Sequence, residues 1–327
     1  MQKSHLRLLD SFSVILKRIF LLTLALCSLL PFLSTAHAGE KAQSTAQTPG
    51  TPQRIVVFPL FAEEMLLEMI GPGRIVFVGH EYWENGEAYT PTMALTKGIR
   101  GSSDPDICAA DFLNLKPDLV VLEKANYSIY ETLLPELQQA GIPFLFLDIP
   151  QSMDDILSAL TTLGEAVGAK DMAAQMVRNM EATLAQITQI VSTIAQEKRV
   201  RAAYFDYSHP ECYIPNNFSI IARAAGVINA SGSDTDYKQM NDALLKEWNP
   251  DLITFIPFFL DGPSLYDIGD EFVEKRISSI LNNPQLSAIT AIKNRNVHPL
   301  SLHESQFIVQ SVQDLARLAY PDLFTEH

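Results

Sequence analysis

Residues 171–195, DMAAQMVRNMEATLAQITQIVSTIA, carry the pattern that decides the fold. Met172, Met176, Met180 and Leu184 recur at four-residue spacing, and Ile187, Val191 and Ile194 prolong the series. Apolar residues repeating every three to four positions draw one stripe along a helix. The stripe runs over about 25 residues, or roughly 40 Å of helix, and predicts a single helix from roughly 170 to 197. A row of thioethers also suits a soft metal, but methionine is foremost an adaptable packing residue, and core packing is the reading taken. Upstream, Ser152 followed by Asp154 and Asp155 reads as an N-cap with an acidic first turn, and Gly168 as the end of that first helix.

The pattern changes on either side of this helical stretch. Short continuous apolar runs stand at 54–58, 75–78, 119–122 and 144–147 before it, and at 202–205, 252–256 and 297–300 after it. Helical stretches such as 63–70, 129–140 and 219–225 separate several of these runs. Such alternation predicts mostly parallel sheets covered on both faces, hence an α/β chain. The two halves also echo one another. DFLNLKPDLVVL at 111–122 resembles ALLKEWNPDLITF at 243–255: a helix ends, Pro-Asp punctuates, and a buried strand begins. The expected architecture is two similar lobes, 53–151 and 198–327, joined through a helical segment at 152–197.

The chain has 327 residues, 47% hydrophobic and 19% charged, which places it among globular proteins. Its net charge of −14 disfavours nucleic acid as a partner. Residues 1–38 read as an export signal: Lys3, Arg7, Lys17 and Arg18 precede an apolar run from Ile19 to Leu33, and Ala36-His37-Ala38 supplies small residues for cleavage before Gly39. The run falls short of the ~20 residues of a spanning helix, and Pro31 interrupts it. Cleavage would remove four basic residues and Asp10, deepening the charge from −14 to −17. Residues 39–53 are polar and small, as in a flexible leader. The product is expected in the periplasm, without a membrane span and as a monomer.

The layout resembles the helix-linked periplasmic substrate-binding proteins that serve ABC importers of iron–siderophore complexes, haem and cobalamin. The likeness covers about 54–324. It rests on the 54–59 strand with the helix after it, GPGRIVFVG at 71–79, LKPDLV at 115–120, LGEAVG at 163–168, AAGVINA at 224–230 and NPDLI at 249–253. The resemblance implies two lobes joined by one long helix, a ligand between them, no catalytic cofactor and an ABC permease as partner. It also implies a glutamate on each lobe for docking to the permease. Ala110 and Ala243 stand at those positions here, with Asp111 and Asp242 one residue away as substitutes.

Ligands of α/β lobes lie beyond the carboxyl ends of the strands, and three such places are chemically dense. They are His80-Glu81-Tyr82-Trp83 after the second run, His209-Pro210-Glu211-Cys212-Tyr213 after the 202–205 run, and His303-Glu304 after the last. Imidazole and carboxylate bind first-row metals, so His80, His209, Glu211 and His303 are candidate metal ligands. Tyr82, Trp83, Tyr213 and Tyr266 suit a flat chelate such as a porphyrin, corrin or catechol. The expected cargo is therefore a metal ion or a metal complex. Cys108 and Cys212 fit two readings equally: a disulfide in an oxidising compartment, or free thiols of which one touches a metal. The chain lacks HExxH and CxxC patterns and a GxSxG elbow, so an exported hydrolase is the weakest of three readings. A metal sensor or storage protein of the same fold is the third.

Overall fold

The computed structural model of the chain describes residues 50–79, 100–101, 109–124, 129–204, 216–232, 241–255 and 270–324. Among the described residues, nine strands form two sheets. The first contains β1 (Ile55–Val57), β2 (Ile75–Val78), β3 (Arg100–Gly101), β4 (Leu119–Glu123) and β5 (Phe144–Leu147), in the order β3-β2-β1-β4-β5. The second contains β6 (Arg201–Tyr204), β7 (Ile228–Asn229), β8 (Leu252–Phe255) and β9 (Val297–Pro299), in the order β7-β6-β8-β9. Every pairing is parallel. The two lobes expected from the alternating pattern are thus present, each built on one parallel sheet. The two-residue strands β3 and β7 carry no run long enough to be read from sequence.

Helices cover both faces. α1 (Leu60–Ile70), α2 (Ala109–Asn114) and α3 (Ile129–Gln139) belong to the first lobe; α4 (Met153–Ala166) and α5 (Lys170–Val191) connect the lobes. α6 (Asn216–Ala224), α7 (Asp242–Trp248), α8 (Asp270–Leu281), α9 (Thr290–Lys293) and α10 (Ile308–Ala319) complete the second. Ser152 caps α4 as expected, its hydroxyl accepting from the Asp155 backbone N–H. One continuous apolar core runs from Ile55 and Val57 through α1, α4, α5, α6 and α10 to Ala202 and Tyr204. Separate clusters fill the far side of each sheet, around Phe77 and Phe112 in one and Ile253 and Phe255 in the other. Because the shared core crosses between the lobes, wide separation would expose apolar surface at about 25 cal/mol per Å².

The long helix begins at Lys170 as expected but departs from expectation at its C-terminal end and at one position of its stripe. It closes at Val191 and not near residue 197, so its 22 residues span about 33 Å. The Ser192 and Thr193 hydroxyls bond the carbonyls of Gln189 and Ile190, the kind of local side-chain competition that ends helices. Met172 also leaves the stripe, being 47% exposed. The buried positions are Ala173, Met176, Met180, Ile187 and Val191. A strict four-residue step advances about 40° beyond one turn each time, so the methionine row cannot stay on one face. Mixed steps of three and four can. Where α4 meets α5, a Cβ on Gly164 would stand 2.3 Å from the Ala173 Cβ, so only glycine allows this approach.

The sequence echo between the halves has a shared structural meaning. Lys116 (φ 49°) and Asn249 (φ 42°) take the left-handed conformation that stops α2 and α7, and Pro-Asp follows each. The Asp118 carboxylate accepts from the backbone N–H groups of Gln53 and Arg54 (2.7 and 2.8 Å), and its own N–H donates to the Arg54 carbonyl. Asp251 repeats the clamp on Arg201, accepting its N–H at 3.0 Å and donating back at 2.8 Å. Each clamp joins the first strand of a lobe to the strand after Pro-Asp. Asp118→Ala and Asp251→Ala should each lower stability by about 1–3 kcal/mol, the cost of stranding backbone donors. Urea unfolding checks this, and two neutral variants would refute the clamp.

Candidate functional site

Parallel pairing puts the carboxyl ends of all strands of a sheet at one edge, where α/β lobes take their ligands. At that edge of the first lobe stand Phe58, Gly79, Glu123 and Lys124; at that of the second, Tyr204, Phe255 and the segment from Leu300. Gly79 lies so close to β1 that a Cβ there would meet the Phe58 carbonyl oxygen, so the chain can leave β2 on this path only with glycine. Lys124 pairs with Asp148 at 3.3 Å, and Glu123 stands beside it at the end of β4.

His303 is half-buried in the segment after β9. Its backbone N–H donates to the Ser311 hydroxyl at 3.2 Å, and its ring lies against Phe307 with centroids 5.8 Å apart. Burial lowers its pKa, favouring the neutral imidazole that binds metals. Glu304 is exposed as a residue, yet its carboxyl is held above the ordinary range, first by loss of water and then by the charge of Glu123. These two carboxylates come from strand ends of different lobes. The candidates His80, Glu81, Tyr82, Trp83, Cys108, His209, Glu211, Cys212, Tyr213 and Tyr266 lie outside the described residues. Among the described residues, no three His, Cys, Asp or Glu side chains are placed to hold a metal ion.

Immediately beyond His303 the chain crosses to the first lobe. The Ser305 hydroxyl donates to Glu64 Oε2 at 2.5 Å. Gln306 Nε2 donates to the Glu64 carbonyl at 3.2 Å and to Glu68 Oε2 at 2.9 Å. The receiving helix, α1, is buried on nearly every side, Glu63 and Glu64 included. Both Glu63 carboxyl oxygens lack a hydrogen-bond partner. Burial, and secondarily Glu64, push the Glu63 pKa up to about 8. The sequence marks 63–70 as helical but offers no sign that two adjacent glutamates point into protein, because the elements that enclose them, such as the 305–306 segment, lie far away in the chain.

At the docking positions implied by the resemblance, Ala110 and Ala243 are exposed on α2 and α7. Asp242 accepts a hydrogen bond from Asn283 Nδ2 at 3.2 Å and is half-buried. Asp111 lies in α2, its side chain outside the described ones.

Residues 64–301 match the family described as periplasmic binding protein. A Bacillus subtilis (strain 168) protein named as an uncharacterized ABC transporter substrate-binding lipoprotein, YvrC, is 27% identical over 238 residues, covering 70% of each chain. The periplasmic haem-binding protein RhuT from Roseiflexus sp. RS-1 shares the fold with a TM-score of 0.64 at 20% identity, over 84% of this chain and all of that one. Helicobacter pylori CeuE, solved with Ni(II) bound, does so with a TM-score of 0.64 at 19% identity, over 84% of this chain and 85% of that one.

Proposed function

The chain belongs to the periplasmic binding protein family, and from that premise we propose that it captures a metal ion or a metal complex between its lobes and hands it to an ABC permease. It acts as an exported periplasmic monomer and not as an enzyme, its signal segment 1–38 removed before Gly39. The observation that carries the reading is the His303–Glu304 segment at the carboxyl edge of the second sheet, with a neutral imidazole and an acidic partner, Glu123, from the other lobe. His80, Glu81, His209 and Glu211 add donors of the same chemistry, and Tyr82, Trp83, Tyr213 and Tyr266 add ring faces for a flat chelate such as haem, cobalamin or a catecholate siderophore. Cys108 and Cys212 supply either a disulfide or a further metal contact.

The mechanism requires capture without bond making. Donors on two lobes converge on the cargo, and a small hinge movement about α5 closes the edge over it. Iron(III)-catecholate, Ni(II), haemin and cobalamin are each titrated into the wild type and His303→Ala, with intrinsic fluorescence as the signal. For at least one of them the variant should bind about ten-fold more weakly, the scale of one lost ligand. Wild-type binding should weaken as pH falls, because protonation removes the imidazole lone pair. Since burial lowers the His303 pKa, this acid limb belongs below the ordinary imidazole range. Equal affinity of both proteins for every probe overturns the histidine site.

A second reading, a periplasmic metal sensor or storage protein without a permease, draws on Ala110 and Ala243 at the docking positions and on Asp242 being bonded to Asn283. Tight metal binding with no co-purifying permease would favour it.

A further inference from the structure

The contact between the segment after β9 and α1 is made of buried groups from two lobes, separated by 241 positions in the chain. Ser305 and Gln306 are 0% and 6% exposed, and Glu64 is 3% exposed. Their bonds fix the turn whose preceding residues are His303 and Glu304, and the Ser305 hydroxyl also accepts the Phe307 N–H. Glu63 directly precedes the gripped Glu64 on α1, 0% exposed and with neither oxygen bonded. An ionised carboxylate in such a place is costly, and a second one beside Glu64 more so.

We propose that α1, through Glu64 and Glu68, and residues 303–307 form a proton-coupled latch between the lobes: Glu63 carries a proton while Ser305 and Gln306 grip the helix, and releases it to water when the lobes part. Closure then takes up one proton at Glu63, and opening returns it as hydronium while the carboxylate becomes hydrated. The charges on the elements packed against α1 leave Glu64 as the group acting on Glu63. β1 has no titratable residue, and Arg74 of the turn after α1 is spent on the Pro52 and Val167 carbonyls. Asp154, Asp155 and Glu165 of α4 and Lys170, Asp171, Arg178 and Glu181 of α5 are exposed. On the crossing segment, burial lowers the His303 pKa and Glu304 is acted on by Glu123, while on α1 itself Glu68 is bonded to Gln306. The latch ties the position of the site segment to the other lobe, and its proton sets the pH above which the grip loosens.

The test needs no ligand, so it stands or falls apart from the metal reading. Amide hydrogen exchange of the whole chain is measured by mass spectrometry at about pH 6 and about pH 9, with labelling times scaled for the intrinsic rate. Wild-type protection in peptides covering 60–66 and 300–307 should drop together, by about ten-fold or more, while 119–123 and 170–191 keep theirs. Glu63→Gln should hold full protection at both pH values. Ser305→Ala should show the loss already at the lower pH. Protection in 60–66 and 300–307 that is independent of pH in the wild type overturns the latch. So does loss in one segment without the other, or a Glu63→Gln chain that loses protection as the wild type does.

Discussion

Met180→Asp should cost the protein about 4 kcal/mol or more, while Met172→Asp, on the same helix, should stay within about 0.5 kcal/mol of the wild type. Met180 is 3% exposed and belongs to the core that crosses between the lobes; Met172 is 47% exposed. Aspartate at 180 must either ionise without a partner in apolar surroundings or protonate there, and it also forfeits the contacts of a full methionine side chain. A loss of that size consumes much of the ~5–15 kcal/mol that holds a typical domain folded. Urea titration of the two variants beside the wild type checks the pair. Equal effects at the two positions would mean that the inward face of α5 has been misassigned.

Glu63→Gln should raise stability by about 3 kcal/mol at neutral pH and abolish most of the pH dependence between about pH 5 and 8. The folded Glu63 titrates near 8, against 4.5 in its ordinary state. Between those values the unfolded chain has lost a proton that the folded chain keeps, so stability falls as pH rises through the window. Below it both states are protonated and nothing is lost; above it the whole cost of a buried charge is present. Glutamine keeps the shape and removes the titration, and comparison at each pH cancels the other shifted groups, such as Glu304 and Asp314. Melting curves from pH 5 to about 8.5 that differ from the wild type by a constant offset would show that Glu63 does not titrate in this range. A carboxyl that weakens its own fold is the kind of local inconsistency found where a protein does something with the group, and the latch gives it a use.

Much of the architecture was legible before any coordinates. Continuous apolar runs such as 75–78 and 144–147 coincide with β2 and β5 because a strand covered on both faces must be apolar at every position. Ser152 and the two Pro-Asp punctuations were readable for a local reason: capping and strand entry are settled within a few residues, and the carboxylates of Asp118 and Asp251 then reach the neighbouring strand. The parallel lobes and the long helix follow from these patterns and from the stripe.

What the chain alone could not disclose depends on contacts between residues far apart in sequence. Periodicity admitted Met172 to the stripe, and only the crossing of α4 over α5 at Gly164 and Ala173 selects the face that is buried. His303 could be put forward by type and place, whereas Glu123 could not, since it ends an apolar strand and is brought into play only through Glu304. Glu63 and Glu64 read as ordinary helix charges. Tertiary structure decided otherwise, because enclosing α1 removes the water that would have made those charges harmless, and Ser305, 241 residues away from Glu64, supplies the partner that makes one of them useful.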